Sequence, residues 1–168
     1  GALTDRLNWE VFYNQGENKI VDKQGGGVLI DNFANSFLTN PANPFDCAVA
    51  DPRCVTINPF GFGSLTREML AYISTDLTNI TNLKQRQIGG SVTGTLFSLP
   101  AGDVGISVGA EYRKESSQFD PDQLYVQGKA LSRSAGLSPT GGSFDVAELY
   151  GEIYVPILAD TPGFELLA

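Results

Sequence analysis

A chain of 168 residues, 42% hydrophobic and 18% charged, can bury the core of one domain, and one domain is the default expectation. Its net charge of −8, with only 11 scattered basic residues, argues against a nucleic-acid surface, which needs clustered Lys and Arg. The absence of histidine removes the common nucleophile systems and the commonest transition-metal ligand. The expectation is therefore no enzyme, no cofactor and no metal site.

No run approaches the roughly 18 apolar residues of a transmembrane helix. Any membrane contact would be made by strands, whose alternation is compatible with the mean hydropathy of −0.06. No signal peptide or lipidation motif opens the sequence, which reads as a segment of something longer.

Along the chain, LNWEVFYNQ alternates with period two. Leu7, Trp9, Val11 and Tyr13 share one side, which predicts a half-exposed strand near residues 6–15. Residues 17–83 are rich in Asn, Pro and Gly and read as one long loop with no convincing strand. Two short helices are expected within it. VLIDNFANSFL sets Val28, Leu29, Phe33 and Phe37 at helical spacing behind the breaker Gly25-Gly26-Gly27. SLTREMLAYIST does the same for Leu65, Met69, Tyr72 and Ile73, with Ser64 as the N-cap candidate. Both stripes read as packing faces rather than ligand boxes.

Cys47 and Cys54 bracket the Pro- and Asp-rich CAVADPRC. A loop closed by a disulfide in an oxidising compartment is the favoured reading. Two free thiols in a reducing cytosol stay open, because spacing never proves connectivity.

From Lys84 the texture becomes strand-like. RQIGGSVTGTLFSL predicts a strand over 84–99, LPAGD a turn, and DVGISVGAEYRKE a stricter strand over 103–117. In the latter, Val104, Ile106, Val108, Ala110 and Tyr112 oppose Gly105, Ser107, Gly109, Glu111 and Arg113. A polar connection leads to SFDVAELYGEIYVPIL, a strand near 143–158, and a fifth strand is expected at 163–168. One apolar and one polar face per strand, joined alternately by tight turns and long loops, is the grammar of an antiparallel membrane barrel. A water-soluble sandwich gives similar alternation with shorter strands and more even loops.

At LPAGDVGISVGAEYRKES, an LPAG-type turn followed by a strand carrying G-x-E-Y-R, the sequence resembles the late barrel of proteobacterial TonB-dependent outer-membrane receptors. The likeness continues through Asp120-Pro121-Asp122, Gly142-Ser143-Phe144-Asp145-Val146, Glu148-x-Tyr150-x-Glu152 and Pro156-Ile157-Leu158. Upstream, Cys54 with Asn58-Pro59-Phe60-Gly61 is similar to a C-V-P-x-N-x-F-G stretch of that group. It is strongest from about residue 84 onward.

The resemblance implies an all-β fold: about five strands of an antiparallel transmembrane β-barrel, with a long extracellular loop carrying two short helices. Its setting would be the outer membrane of a Gram-negative bacterium. The parent would be an importer of a scarce siderophore, cobalamin or glycan-type substrate. Its partners would be outer-membrane lipid, a plug domain, the remaining barrel strands and the TonB complex. No plug lies in these residues, so transport is an expectation about the parent. The alternative is an open-edged β segment that self-associates into an oligomer or filament. A third reading is a soluble secreted β-domain.

Glu111, Arg113, Glu148 and Glu152 share the polar face and would point into the barrel lumen, as plug or substrate contacts or as a ladder of ion pairs and hydrogen bonds that stiffens the wall. Barrel alternation alone favours the ladder. Val104, Ile106, Val108, Ile153 and Val155 would face lipid. Asp120 and Asp122 lack the spaced acidic pattern of a calcium loop and read as solvated. The glycine runs lack the lysine of a phosphate loop, and Asn79-Ile80-Thr81 carries no weight as a glycosylation triplet.

Overall fold

A computed structural model describes residues 1–132 and 137–158. Its elements in chain order are β1 (Leu7–Val28), α1 (Ile30–Asn35), β2 (Thr39–Asn40), β3 (Asn43–Cys47), α2 (Arg67–Ile73), β4 (Ser74–Leu99), β5 (Gly102–Asp120), α3 (Gln123–Val126) and β6 (Thr140–Tyr154). The protein is mostly β, with a four-stranded antiparallel sheet in the order β1-β4-β5-β6. A separate small sheet pairs β2 with β3. The expected strand at 163–168 lies outside the described residues.

The strands are longer than alternation alone foretells. The loop expected over 17–83 instead contains the second half of β1, the hairpin β2–β3 and the start of β4. In NKIVDKQGGG and STDLTNITN neither side is consistently apolar, so pairing with neighbours, rather than a hydrophobic period, makes these segments extended. Both helices expected there are present but short, and α3 was not foreseen.

The cap of α2 also differs. Thr66, not Ser64, is the N-cap: its Oγ1 accepts from Met69 N at 3.3 Å, while Ser64 Oγ is occupied in donating to Gly61 O at 2.9 Å.

Contacts divide the chain into two compact units, Gly1–Asn18 with Leu83–Ser117 and the residues from Gly142, and Lys19–Asn82 with Gln118–Gly141. The second unit has a small core in which fully buried Leu77 meets Tyr125 and Ala130, with Leu124 and Leu137 packed against them. Gly27 is required there, because a Cβ would fall 2.7 Å from Leu77 Cγ.

Asp122 ties this unit together. One carboxylate oxygen caps α3 through Leu124 N at 2.9 Å, and the other accepts Thr78 N of β4 at 2.9 Å. Its own N–H donates to Asn79 Oδ1 at 3.0 Å. The aspartate read as a solvated loop residue is thus a clamp between β4 and α3. Cys47 and Cys54 form a disulfide with Cα atoms 6.1 Å apart, which removes the free-thiol alternative.

In the first unit β4 and β5 are joined through Pro100 and Ala101, with Gly102 at φ +136° and Ser98 Oγ donating to Asp103. Beyond β6, Pro156 is buried and reaches back to that turn, its Cγ 3.3 Å from where a Gly102 Cβ would lie.

Candidate functional site

The candidate site is the polar face of the first unit, built by the alternation of β4 and β5. Along β5, Glu111, Arg113 and Glu115 are half-buried while Val108, Ala110, Tyr112 and Lys114 are exposed. Along β4, Gln85 and Gln87 are half-buried while Arg86 and Ile88 are exposed. The polar side chains are therefore the more enclosed set, as they would be on the inside of a curved single-layered sheet.

Two contacts fix which residues share that face. Phe12 of β1 lies over Gly89, its Cζ 2.6 Å from where a Cβ would be, and the Tyr150 ring of β6 covers Gly109. Gly105 likewise faces Tyr154 Cβ at 3.5 Å. Aromatic rings seated on strand glycines stabilise residues that otherwise weaken a sheet, and they pin the register. That register puts Glu148 and Glu152 on the same face as Glu111 and sets Glu148 level with it.

All four expected residues share one face; among the described residues the contacts between strands there are hydrogen bonds to Glu111 and Glu115 rather than ion pairs. Gln87 Nε2 donates to Glu111 Oε1 at 2.8 Å, and Gln85 Nε2 to Glu115 Oε1 at 3.5 Å. Arg113 Nε sits 3.4 Å from Glu115 Oε1 on its own strand. That contact is close enough for ion pairing, yet among the described residues the buried Nε has no hydrogen-bond partner in satisfactory geometry. Glu148 and Glu152 are exposed on β6 and make no ion pair among the described residues.

A carboxylate level with another one across two strands is unfavourable in isolation, so this part of the face is suited to an added donor or cation rather than closed upon itself. Gln85 and Glu115 were missed as members of the face. Their signal was the polar alternation of KQRQ, obscured because Lys84 and Arg86 on the other side are polar as well.

A hollow of about 740 Å³ adjoins these groups, lined among others by Asn18, Leu83, Gln85, Glu115, Ser117 and Phe144. Among the described residues no group of three His, Cys, Asp or Glu side chains is placed to hold a metal.

Across the sheet, Val108 is 43% and Leu149 88% exposed, and Ile153 and Val155 are exposed too. Val104 and Ile106 correct the expected lipid-facing set, Ile106 being half-buried. At 3% exposure Val104 is buried, at the turn end where Pro156 folds back.

In the second unit a cavity of about 500 Å³ is lined by Asn32, Arg53, Val55, Glu68, Tyr72 and Thr75, among others. Tyr72 is buried and its hydroxyl has no hydrogen-bond partner among the described residues. At its rim, hydrogen bonding from Arg53 holds the Asp51 carboxyl below the usual range, and the same contact raises the Arg53 guanidinium. Hydrogen bonds to its own backbone N–H and to the Thr66 hydroxyl lower Glu68. No protein-family model, curated protein or solved structure matches the chain.

Proposed function

We propose that this chain forms part of the wall of an outer-membrane β-barrel importer of the TonB-dependent kind, with the polar face turned to the lumen and the apolar face to lipid. The observation that carries the membrane reading is the inverted sheet: Glu111, Arg113, Glu115, Gln85 and Gln87 are half-buried, while Ile88, Val108, Tyr112, Leu149 and Ile153 are exposed. A water-soluble sheet buries its apolar face; a barrel wall in lipid does the reverse.

The strand dimensions support it. Residues 104–112 of β5 extend about 30 Å, which a tilt of about 45° reduces to about 21 Å, near the apolar band of roughly 25 Å of such barrels. The short turn after β4 against the long connections before β4 and after β5 supports it as well. The importer family rests on the sequence resemblance, above all LPAGDVGISVGAEYR. Glu111, Arg113, Glu148 and Glu152 then contact the plug or passing substrate, and the cargo is a small molecule whose class the face does not select.

Trp9, the chain's single tryptophan, stands on the side of β1 that carries Val11 and is 43% exposed. In reconstituted vesicles its fluorescence is expected to be quenched by lipids brominated on the acyl chains and shielded from aqueous iodide. Quenching by iodide alone would overturn the membrane reading.

A second reading, self-association, is favoured by one feature. Among the described residues β1 and β6 are sheet edges with one neighbour each. Particles of many copies in detergent, rather than a barrel completed by further strands, are what sedimentation would show in that case.

A further inference from the structure

The apolar face carries a group of cations that barrel alternation does not call for. Lys84 and Arg86 of β4 and Lys114 of β5 are exposed on the side of Ile88 and Tyr112, just beyond them toward the ends of the strands opposite the β4–β5 turn. The hydrogen bonds from Gln87 to Glu111 and from Gln85 to Glu115 fix the local register and set Arg86 beside Tyr112 and Lys114 on the reverse face.

Lys84 is paired with Glu17 at 2.9 Å. Arg86 and Lys114 make no ion pair among the described residues, although Asp145 shares this face of β6. In a chain with 19 acidic and 11 basic residues, two neighbouring unpaired cations are a local reversal of sign. Directly below them a mostly apolar groove of about 660 Å³ is bounded by Ile88, Gly90, Ala110, Tyr112 and Leu149, with Glu111 and Glu148 of the reverse face also in its lining, and its floor is kept low by the small residues.

From this juxtaposition we infer that Arg86 and Lys114 form a binding site for the phosphate of a membrane lipid whose acyl chains lie in the groove beneath. The inference rests on the membrane reading above and adds a selectivity to it. The occupant is an anionic amphiphile because the two halves of the site ask for both properties. A phosphate takes charge-assisted hydrogen bonds from a guanidinium and an ammonium, and the groove offers hydrocarbon contact where a free anion would gain nothing. Tyr112 stands at the boundary, where aromatic side chains of barrels sit.

Native mass spectrometry of the protein in a non-ionic detergent, with phosphatidylglycerol and phosphatidylcholine of matched acyl chains, tests it. Trp9 quenching by brominated lipid is measured in parallel. The wild-type chain is expected to retain phosphatidylglycerol preferentially, and R86Q together with K114Q to lower that preference about 30-fold at low salt while leaving Trp9 quenching unchanged. Inorganic phosphate is expected not to displace the lipid.

Equal retention of both lipids, or a preference that survives the double substitution, overturns the site while the membrane reading stands if Trp9 is still quenched. Displacement by inorganic phosphate alone overturns the lipid as occupant. Failure of brominated lipid to quench Trp9 in either protein overturns the site together with the reading beneath it.

Discussion

Gly94 and Gly105 stand on adjacent strands, yet the backbone treats them differently. Gly94 adopts φ +152°, and a Cβ there would overlap the Arg6 carbonyl oxygen, which accepts Thr95 N at 2.9 Å. Gly105 would place a Cβ 3.5 Å from Tyr154 Cβ, an ordinary contact. Gly94→Ala is therefore expected to destabilise the chain by about 3 kcal/mol and to release the β1 edge, and Gly105→Ala to stay within about 0.5 kcal/mol. Guanidinium unfolding midpoints in detergent would separate the two.

Asp51 offers a test by pH. Its folded value lies below that of an ordinary aspartate because Arg53 hydrogen-bonds the carboxylate. A depressed carboxyl contributes its stabilisation above the unfolded value, and that contribution disappears as pH falls through the folded one. Arg53 is solvent-exposed and Asp51 half-buried, so screening keeps the effect on global stability small, but it is local and readable. The Asp51 carboxyl resonance is expected to titrate below the ordinary aspartate range in the wild type and to return towards it in Arg53→Gln.

At the scale of elements, the disulfide and the polar clamp hold segments that have little core of their own. Cys47 ends β3, whose pairing with β2 covers only a few residues. A loop of this length, with a sequence separation of 7, gains about 2–3 kcal/mol from closure by restricting the unfolded chain. Cys47→Ser with Cys54→Ser is expected to accelerate amide exchange over 39–57 by that margin and to leave β4 and β5 protected. Fast exchange spreading into β5 would contradict the division into units.

This scale also shows why the sequence was only partly legible. β5 could be read because Val108, Ala110 and Tyr112 alternate strictly with Gly109, Glu111 and Arg113. The far half of β1 could not, because Lys19, Asp22 and Lys23 leave no side of the strand apolar. Asp122 was misjudged for a related reason: its partners, Thr78 N and Asn79, lie more than forty residues away and leave no local trace. Of the site, the membership of Glu111, Arg113, Glu148 and Glu152 in one face followed from period two. What each bonds to depended on strand register, which the turn after Leu99 fixes for β4 and β5 but which no nearby turn fixes for β6.

For the whole molecule, the question is which solvent the apolar side of the sheet meets, and Val108 is well placed to answer it. It lies midway along residues 104–112, is 43% exposed, and has only Gly151 opposite on the next strand, where a Cβ would come to 3.5 Å of Val108 Cγ1. If the face meets water, Val108→Arg replaces an exposed apolar group by a hydrated one, and the change stays within about 0.5 kcal/mol. If it meets hydrocarbon, the same arginine near mid-depth costs about 2–4 kcal/mol. Its neighbour Ser107 faces the other way, so Ser107→Arg carries the same charge into the polar face and controls for charge as such. The expected outcome is a large loss of folded yield in vesicles for Val108→Arg and a small one for Ser107→Arg. Equal effects would mean that both sides of the sheet see the same medium, which no barrel wall does.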